Sequence, residues 1–288
     1  MIETRRIWLM DQRLIRAQRQ GKTPGFEEHI LAGYKNFNFK TKLIRIQNLT
    51  SQCTENKFVL KNGAEAILLI PTRKNSKVLV SLHGGPESYE NTEIRYLGLY
   101  RALLRKGWTI AILNYRGSKN ITVSKKMTWK NWKASIIDDF ADLLSNSEFQ
   151  SKSISLLGAS FGGALALSIC QSFEIERCVL LSPLLDLKTQ KDRAGGDFKK
   201  WFDTRFSSKD YKDFSFENLT SGISVKTLCI CSNKDEILGN LMNLQLIYKF
   251  KNRQIVKVIA QQTSHFPKTY KSADKRYRSA FNFLTKKR

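Results

Sequence analysis

Histidine is scarce in this chain of 288 residues: there are three, His29, His83 and His265. So few imidazoles leave no cluster with metal-ligand spacing, and neither a metal nor another cofactor is expected. Long apolar runs are missing as well. No stretch approaches the roughly 18 consecutive apolar residues that a membrane span needs. Met1 to Asp11 holds no apolar core of signal-peptide length, so a cytoplasmic protein is expected. Cysteine is sparse and odd in number, with five residues: Cys53, Cys170, Cys178, Cys229 and Cys231. Most lie within apolar runs. Cys229 and Cys231 stand two apart on an expected strand, which is not C-x-x-C spacing. Reduced, buried, structural thiols are expected, rather than a disulfide framework or a redox pair. Negative charge is also short: 25 Asp+Glu stand against 49 Lys+Arg, a net charge of +24. Such a field suits an anionic partner such as nucleic acid, lipid headgroups or an acidic peptide. No zinc-finger spacing or RNP aromatic motif accompanies it, and a lysine-rich soluble surface explains the same count.

The hydrophobic pattern, by contrast, is rich. Residues 1–42 read as a basic, partly helical lead-in. Residues 43–288 read as one α/β domain. Leu43–Ile46, Lys57–Leu60 and Ala66–Ile70 are strand-like, with a hairpin turn at Lys61-Asn62-Gly63. Val78–Leu82 is fully apolar, as a central strand is. Alternation follows. Ile94–Lys106 has helical spacing, with Gly107 as its stop, and Thr109–Leu113 is a strand. Trp132, Ile136, Phe140 and Leu144 recur every four residues on a helix. Further strands are expected at Ile154–Leu157, Cys178–Leu181, Thr227–Cys231 and Ile255–Ile259. Helices are expected at Gly162–Ser172 and Leu238–Phe250, and Ala273, Tyr277, Ala280, Phe281 and Leu284 mark a closing one. This order predicts a mostly parallel sheet covered on both faces, with an antiparallel N-terminal edge. Residues 187–220 break the rhythm with charge and aromatics. They read as a cap-like insertion or a surface excursion.

One pattern carries chemistry. Gly158-Ala159-Ser160-Phe161-Gly162-Gly163 lies between an apolar strand and a small-residue helix, the setting in which G-x-S-x-G forms a nucleophile elbow. The competing reading is a glycine turn with Ser160 as the helix N-cap. A nucleophilic serine needs a base, and the base needs an acid to orient it. His265 is the one histidine downstream of Ser160, and it follows a strand. Asp235 follows the preceding strand and is the first choice for the acid. Glu236 is adjacent and could substitute, although it better suits the start of a helix. An oxyanion needs donors: the Phe161 N–H after the nucleophile, and the loop His83-Gly84-Gly85-Pro86, where Gly84 and Gly85 permit close backbone approach.

Together these residues resemble the catalytic domain of the prolyl oligopeptidase (S9) family, acylaminoacyl-peptidase-like branch. His83–Pro86 looks like its HGGP loop. Asn114-Tyr115-Arg116-Gly117-Ser118 looks like its NYRGS segment, and Trp129–Phe140 is similar to its tryptophan-and-acid helix. The resemblance spans about Asn56 to Lys287 and implies an α/β-hydrolase fold. It also implies a serine hydrolase acting through an acyl-enzyme on a small peptide, amide or ester substrate. The segment ahead of this region is too short for the family's β-propeller, so oligopeptide specificity is not carried over. Two other readings share these residues. One is an esterase, thioesterase or acyltransferase. The other is a non-catalytic hydrolase relative that binds an anionic partner.

Overall fold

The computed structural model describes residues 53–90, 95–119, 121, 128–193, 202, 206–238, 249, 256–267 and 270–286. The expected lead-in, the strand at Leu43–Ile46 and nearly all of the helix at Leu238–Phe250 lie outside them.

The strands are β1 (Cys53–Val59), β2 (Glu65–Pro71), β3 (Lys77–Leu82), β4 (Thr109–Asn114), β5 (Ser153–Ala159), β6 (Arg177–Leu181), β7 (Lys226–Ser232) and β8 (Val256–Gln261). They form one eight-stranded sheet in the order β1-β2-β4-β3-β5-β6-β7-β8. The β1–β2 and β2–β4 pairs are antiparallel. From β4 through β3 to β8 every pair is parallel. This is the mostly parallel sheet with an antiparallel N-terminal edge that the pattern predicted, and the α/β-hydrolase arrangement that the resemblance implies. The β1–β2 turn differs in detail: Gly63 alone takes a positive φ, +86°, whereas Asn62 does not. Gly63 N–H closes the turn on Leu60 O, leaving one left-handed position for glycine to fill.

Helices cover both faces. They are α1 (Arg95–Arg105), α2 (Trp129–Leu144), α3 (Phe161–Cys170), α4 (Leu187–Arg193), α5 (Ser208–Asp213), α6 (Phe216–Thr220) and α7 (Tyr270–Thr285). Successive strand residues point to opposite faces and so enter different cores. Val78, Val80, Leu156, Leu180 and Cys229 pack with α2 and α3. Leu79, Ile110, Leu157, Val179 and Leu228 pack on the other face with α1 and α7. Strands buried on both faces show continuous apolar runs, which is why β3 to β7 were legible. Among the described residues, no helix is long and apolar enough to cross a membrane.

The described aromatics of residues 187–220 turn inward. Phe202, Phe206, Phe214 and Phe216 are buried in the α2–α3 core. The Phe214 ring lies 4.1 Å from that of Trp129 and 6.3 Å from that of Phe161. Asp210 caps α5 in a reciprocal box with Ser207, and its other oxygen accepts Trp129 N–H at 2.7 Å. This region is therefore tied to the start of α2 by both packing and a charge-assisted hydrogen bond.

Candidate active site

β5, β6, β7 and β8 are neighbours and parallel, so their C-terminal ends form one row about 4.8 Å apart per step. Ser160 follows β5, Ser182 follows β6, Asp235 lies just beyond β7 and His265 just beyond β8. Residues distant in sequence thus meet at one edge of the sheet, where open α/β sheets bind ligands.

Ser160 has φ +51° and ψ −119°, a region that non-glycine residues rarely occupy. Such strain costs on the order of 1–3 kcal/mol and persists only where the surroundings enforce it. Here its N–H donates to Leu181 O at 2.9 Å, and its carbonyl accepts from Gly163 and Leu184 N–H at 2.9 Å. The elbow is thereby pinned to β6. Ser160 stands at the N-cap position of α3, but its side chain makes no capping hydrogen bond there. Close packing explains the glycines. A Cβ on Gly162 would overlap the carbonyl oxygens of Leu82 and His83. A Cβ on Gly84 would come within 2.8 Å of Ser160 Cβ. The glycine loop after β3 therefore lies directly against the serine. Phe161 is the first residue of α3, so its N–H has no intrahelical acceptor.

Asp235 is fully buried and uses both carboxylate oxygens. Oδ1 accepts the N–H groups of Ile237 at 3.0 Å and Leu238 at 2.8 Å. Oδ2 lies 2.7 Å from His265 Nδ1. An ionised carboxylate can only accept, so Nδ1–H is the donor in this pair. Glu236 takes a different part: its Oε2 accepts His265 N–H at 3.1 Å. The two adjacent acids thus hold one histidine at its ring and at its backbone.

The NYRGS segment backs the glycine loop. Tyr115 stacks on His83 at 4.4 Å and its hydroxyl donates to His83 O at 3.1 Å. Ser118 donates to Tyr115 O at 2.6 Å, so the 2.8 Å contact with His83 Nε2 requires His83 to be the donor there. Gly117 lies under Trp132, whose ring occupies the place a Cβ would take. Arg116 Nε and N–H both bind Asp139, at 2.6 and 3.0 Å. Burial pushes the Asp139 carboxyl up to about 6, and the Arg116 interactions only partly oppose this.

The model of the serine aminopeptidase S33 family matches residues 73–263, which include the loop, the elbow and Asp235. The chain belongs to this family. No curated protein matches it. The Pyrococcus horikoshii acylaminoacyl peptidase has 16% identity and a TM-score of 0.69, covering 86% of this chain and 43% of that one. A Mycobacterium tuberculosis puromycin-hydrolyzing peptidase has 12% identity and a TM-score of 0.69, covering 81% and 39%. A Pyrococcus furiosus esterase has 17% identity and a TM-score of 0.61, covering 83% and 93%. At these identities the likeness is one of fold. The S33 chain spans about two fifths of the two peptidases it matches and most of the esterase. The resemblance to an acylaminoacyl-peptidase catalytic domain is thus matched in structure.

Cys229 and Cys231 share a strand face with their sulfurs 3.3 Å apart, and all five cysteines are free thiols. Burial pushes Cys231 well above its ordinary value, and the hydrogen bond that the Cys178 thiol donates to Cys170, together with burial, does the same for Cys178. Both are therefore protonated and poor nucleophiles. Cys53 is half-buried rather than buried. Among the described residues, no group of three or more His, Cys, Asp and Glu could hold a metal ion.

Proposed function

We propose that the chain is a serine hydrolase that cleaves a peptide, amide or ester bond through an acyl-enzyme on Ser160. The observation that carries this reading is the buried 2.7 Å pairing of Asp235 with His265 Nδ1 on the same sheet edge as the strained Ser160. In this mechanism Ser160 Oγ attacks the substrate carbonyl carbon while His265 Nε2 takes its proton. The carbonyl oxygen becomes an oxyanion that accepts from Phe161 N–H and the Gly84-Gly85 loop. The intermediate collapses, and His265 returns the proton to the leaving amine or alcohol. A water then attacks the acyl carbon, giving a proton to His265, and as the acyl–Oγ bond breaks His265 passes that proton to Ser160 Oγ and the acid product leaves. Asp235 keeps the imidazole in the required tautomer and stabilises its protonated form.

An esterase reading draws on one specific observation: the esterase match covers nearly all of that protein, whereas the peptidase matches cover less than half of theirs. A thioesterase or acyltransferase would use the same centre. A fluorophosphonate probe tests the shared chemistry. Labelling of the wild type that disappears in Ser160→Ala is expected, and labelling that persists in that variant overturns the proposal. Aminoacyl-nitroanilides set beside short acyl esters then separate peptidase from esterase.

A further inference from the structure

The closing helix α7 brings one charged side chain into the interior. Arg276 is 2% exposed. It lies on the apolar stripe of that helix, three residues after Ala273 and four before Ala280, both of which are buried. A buried guanidinium is costly and normally takes a carboxylate partner. Here the hydrogen bonds among the described residues go to neutral oxygens: Nε to Gln261 Oε1 at 3.1 Å, one terminal nitrogen to His265 O at 2.9 Å, the other to Ser232 Oγ at 2.6 Å. Burial draws the guanidinium below its ordinary value, and the negative charge of Asp235 is among the influences that oppose this.

Those partners are not scattered. Ser232 ends β7, three residues before Asp235, and Gln261 ends β8, four before His265. Ser182, itself at φ +42°, joins the group, with its Oγ 3.1 Å from Ser232 Oγ and 3.4 Å from His265 O. One rigid fork therefore ties together the ends of two strands and the backbone of the histidine loop. A planar guanidinium suits this task because its donors point in fixed directions, unlike those of an ammonium.

We propose that Arg276 is a positioning residue that fixes His265 against Asp235 and toward Ser160. This rests on the hydrolase reading for its rate consequence, but the geometric consequence is separate. Three variants test it: Arg276→Met, which keeps bulk and removes every donor; Arg276→Lys, which keeps the charge but not the fork; and Ser182→Ala, which removes the weaker tether. The first readout is fluorophosphonate labelling, resolved into probe affinity and maximal rate. Arg276→Met is expected to lose about 100-fold in maximal rate with probe affinity unchanged, as for a misplaced catalytic group. Arg276→Lys should recover part of that loss, and Ser182→Ala should lose less than either. The second readout is the proton NMR resonance of His265 Nδ1–H, assigned by its loss in Asp235→Asn. It should be protected from exchange in the wild type and broadened in Arg276→Met and Arg276→Lys. Wild-type labelling rate together with an unchanged resonance in a folded Arg276 variant overturns the proposal. Should Arg276→Met fail to fold, Arg276→Lys decides by the same two readouts. A wild type that does not label sinks the hydrolase reading and leaves the resonance to decide the role of Arg276.

Discussion

The proposed nucleophile, Ser160, and its proposed base, His265, are held by opposite means. Ser160 is fixed by backbone: hydrogen bonds from its main chain to β6 and α3, and glycines packed without room for a Cβ. His265 is fixed by side chains. Asp235 takes its ring, Glu236 its N–H, and Arg276 and Ser182 its carbonyl. A backbone-built elbow has one conformation and breaks by steric overlap. A side-chain-built loop has several tethers and fails one tether at a time. The two halves should therefore respond differently to small substitutions.

The sharpest break is expected on the side-chain half. Asp235→Asn keeps an Oδ1 acceptor for Ile237 and Leu238, so the turn after β7 should remain folded. Its amide, however, faces His265 Nδ1 with a donor and favours the wrong tautomer. On the triad template, turnover should fall by roughly 10⁴-fold. The check is kcat together with thermal unfolding: kcat falls and the unfolding midpoint barely moves. A near-wild-type rate would remove Asp235 from the mechanism.

The backbone half should show the reverse. In Gly162→Ala the added methyl group meets carbonyl oxygens of Leu82 and His83, which belong to β3 and its loop rather than to a mobile side chain. Relief requires the sheet, the loop or the helix to shift. Overpacking of this kind costs about 3 kcal/mol. Urea unfolding should show the loss as a lower midpoint at unchanged slope, whereas Ser182→Ala, after β6, should leave the midpoint nearly where it was. Equal stability of Gly162→Ala and wild type would mean that the elbow is not sterically locked.

The same contrast explains what was readable from the sequence. Steric demands are local, so they leave local marks: glycines at set intervals and small residues after them. Parallel strands buried on both faces leave apolar runs, and Asp235 and His265 follow from their order after those strands. Tethers made by side chains leave fainter marks. Arg276 sits in a basic stretch and counted there as surface charge. The signal was its phase, because it shares the stripe of Ala273, Tyr277, Ala280 and Leu284 on an amphipathic helix. Ser182 gave no mark, since nothing in Leu181-Ser182-Pro183 shows a left-handed serine facing β7. The NYRGS segment was legible as a motif but not as a brace, because its work depends on which partner each side chain meets. Residues 187–220 read as a cap-like insertion or a surface excursion, because the α2 and α3 partners of Phe202, Phe206, Phe214 and Phe216 lie far away in sequence.

A third kind of holding, a buried ion pair, stands behind the glycine loop, and its cost can be measured. The Asp139 carboxyl is raised from an ordinary 3.8 to about 6 because burial outweighs its interactions with Arg116. Below about pH 3 the group is protonated in both the folded and the unfolded chain and has no pH-dependent effect. As pH rises to about 6, the unfolded chain ionises freely while the folded chain retains the proton. Folding stability from this group therefore falls across that window and is level above about pH 7. The full drop is on the order of 3 kcal/mol. Asp139→Asn removes the titration and keeps the shape. Glu148 and Glu176 shift in the opposite direction but are unchanged in the variant, so they cancel in the comparison. Stability measured by urea unfolding from pH 4 to 7 should show the wild type losing ground to Asp139→Asn as pH rises. Should the wild type gain instead, the attraction of Arg116 outweighs burial, and the brace behind the glycine loop is an ion pair that stabilises the fold rather than one the fold tolerates.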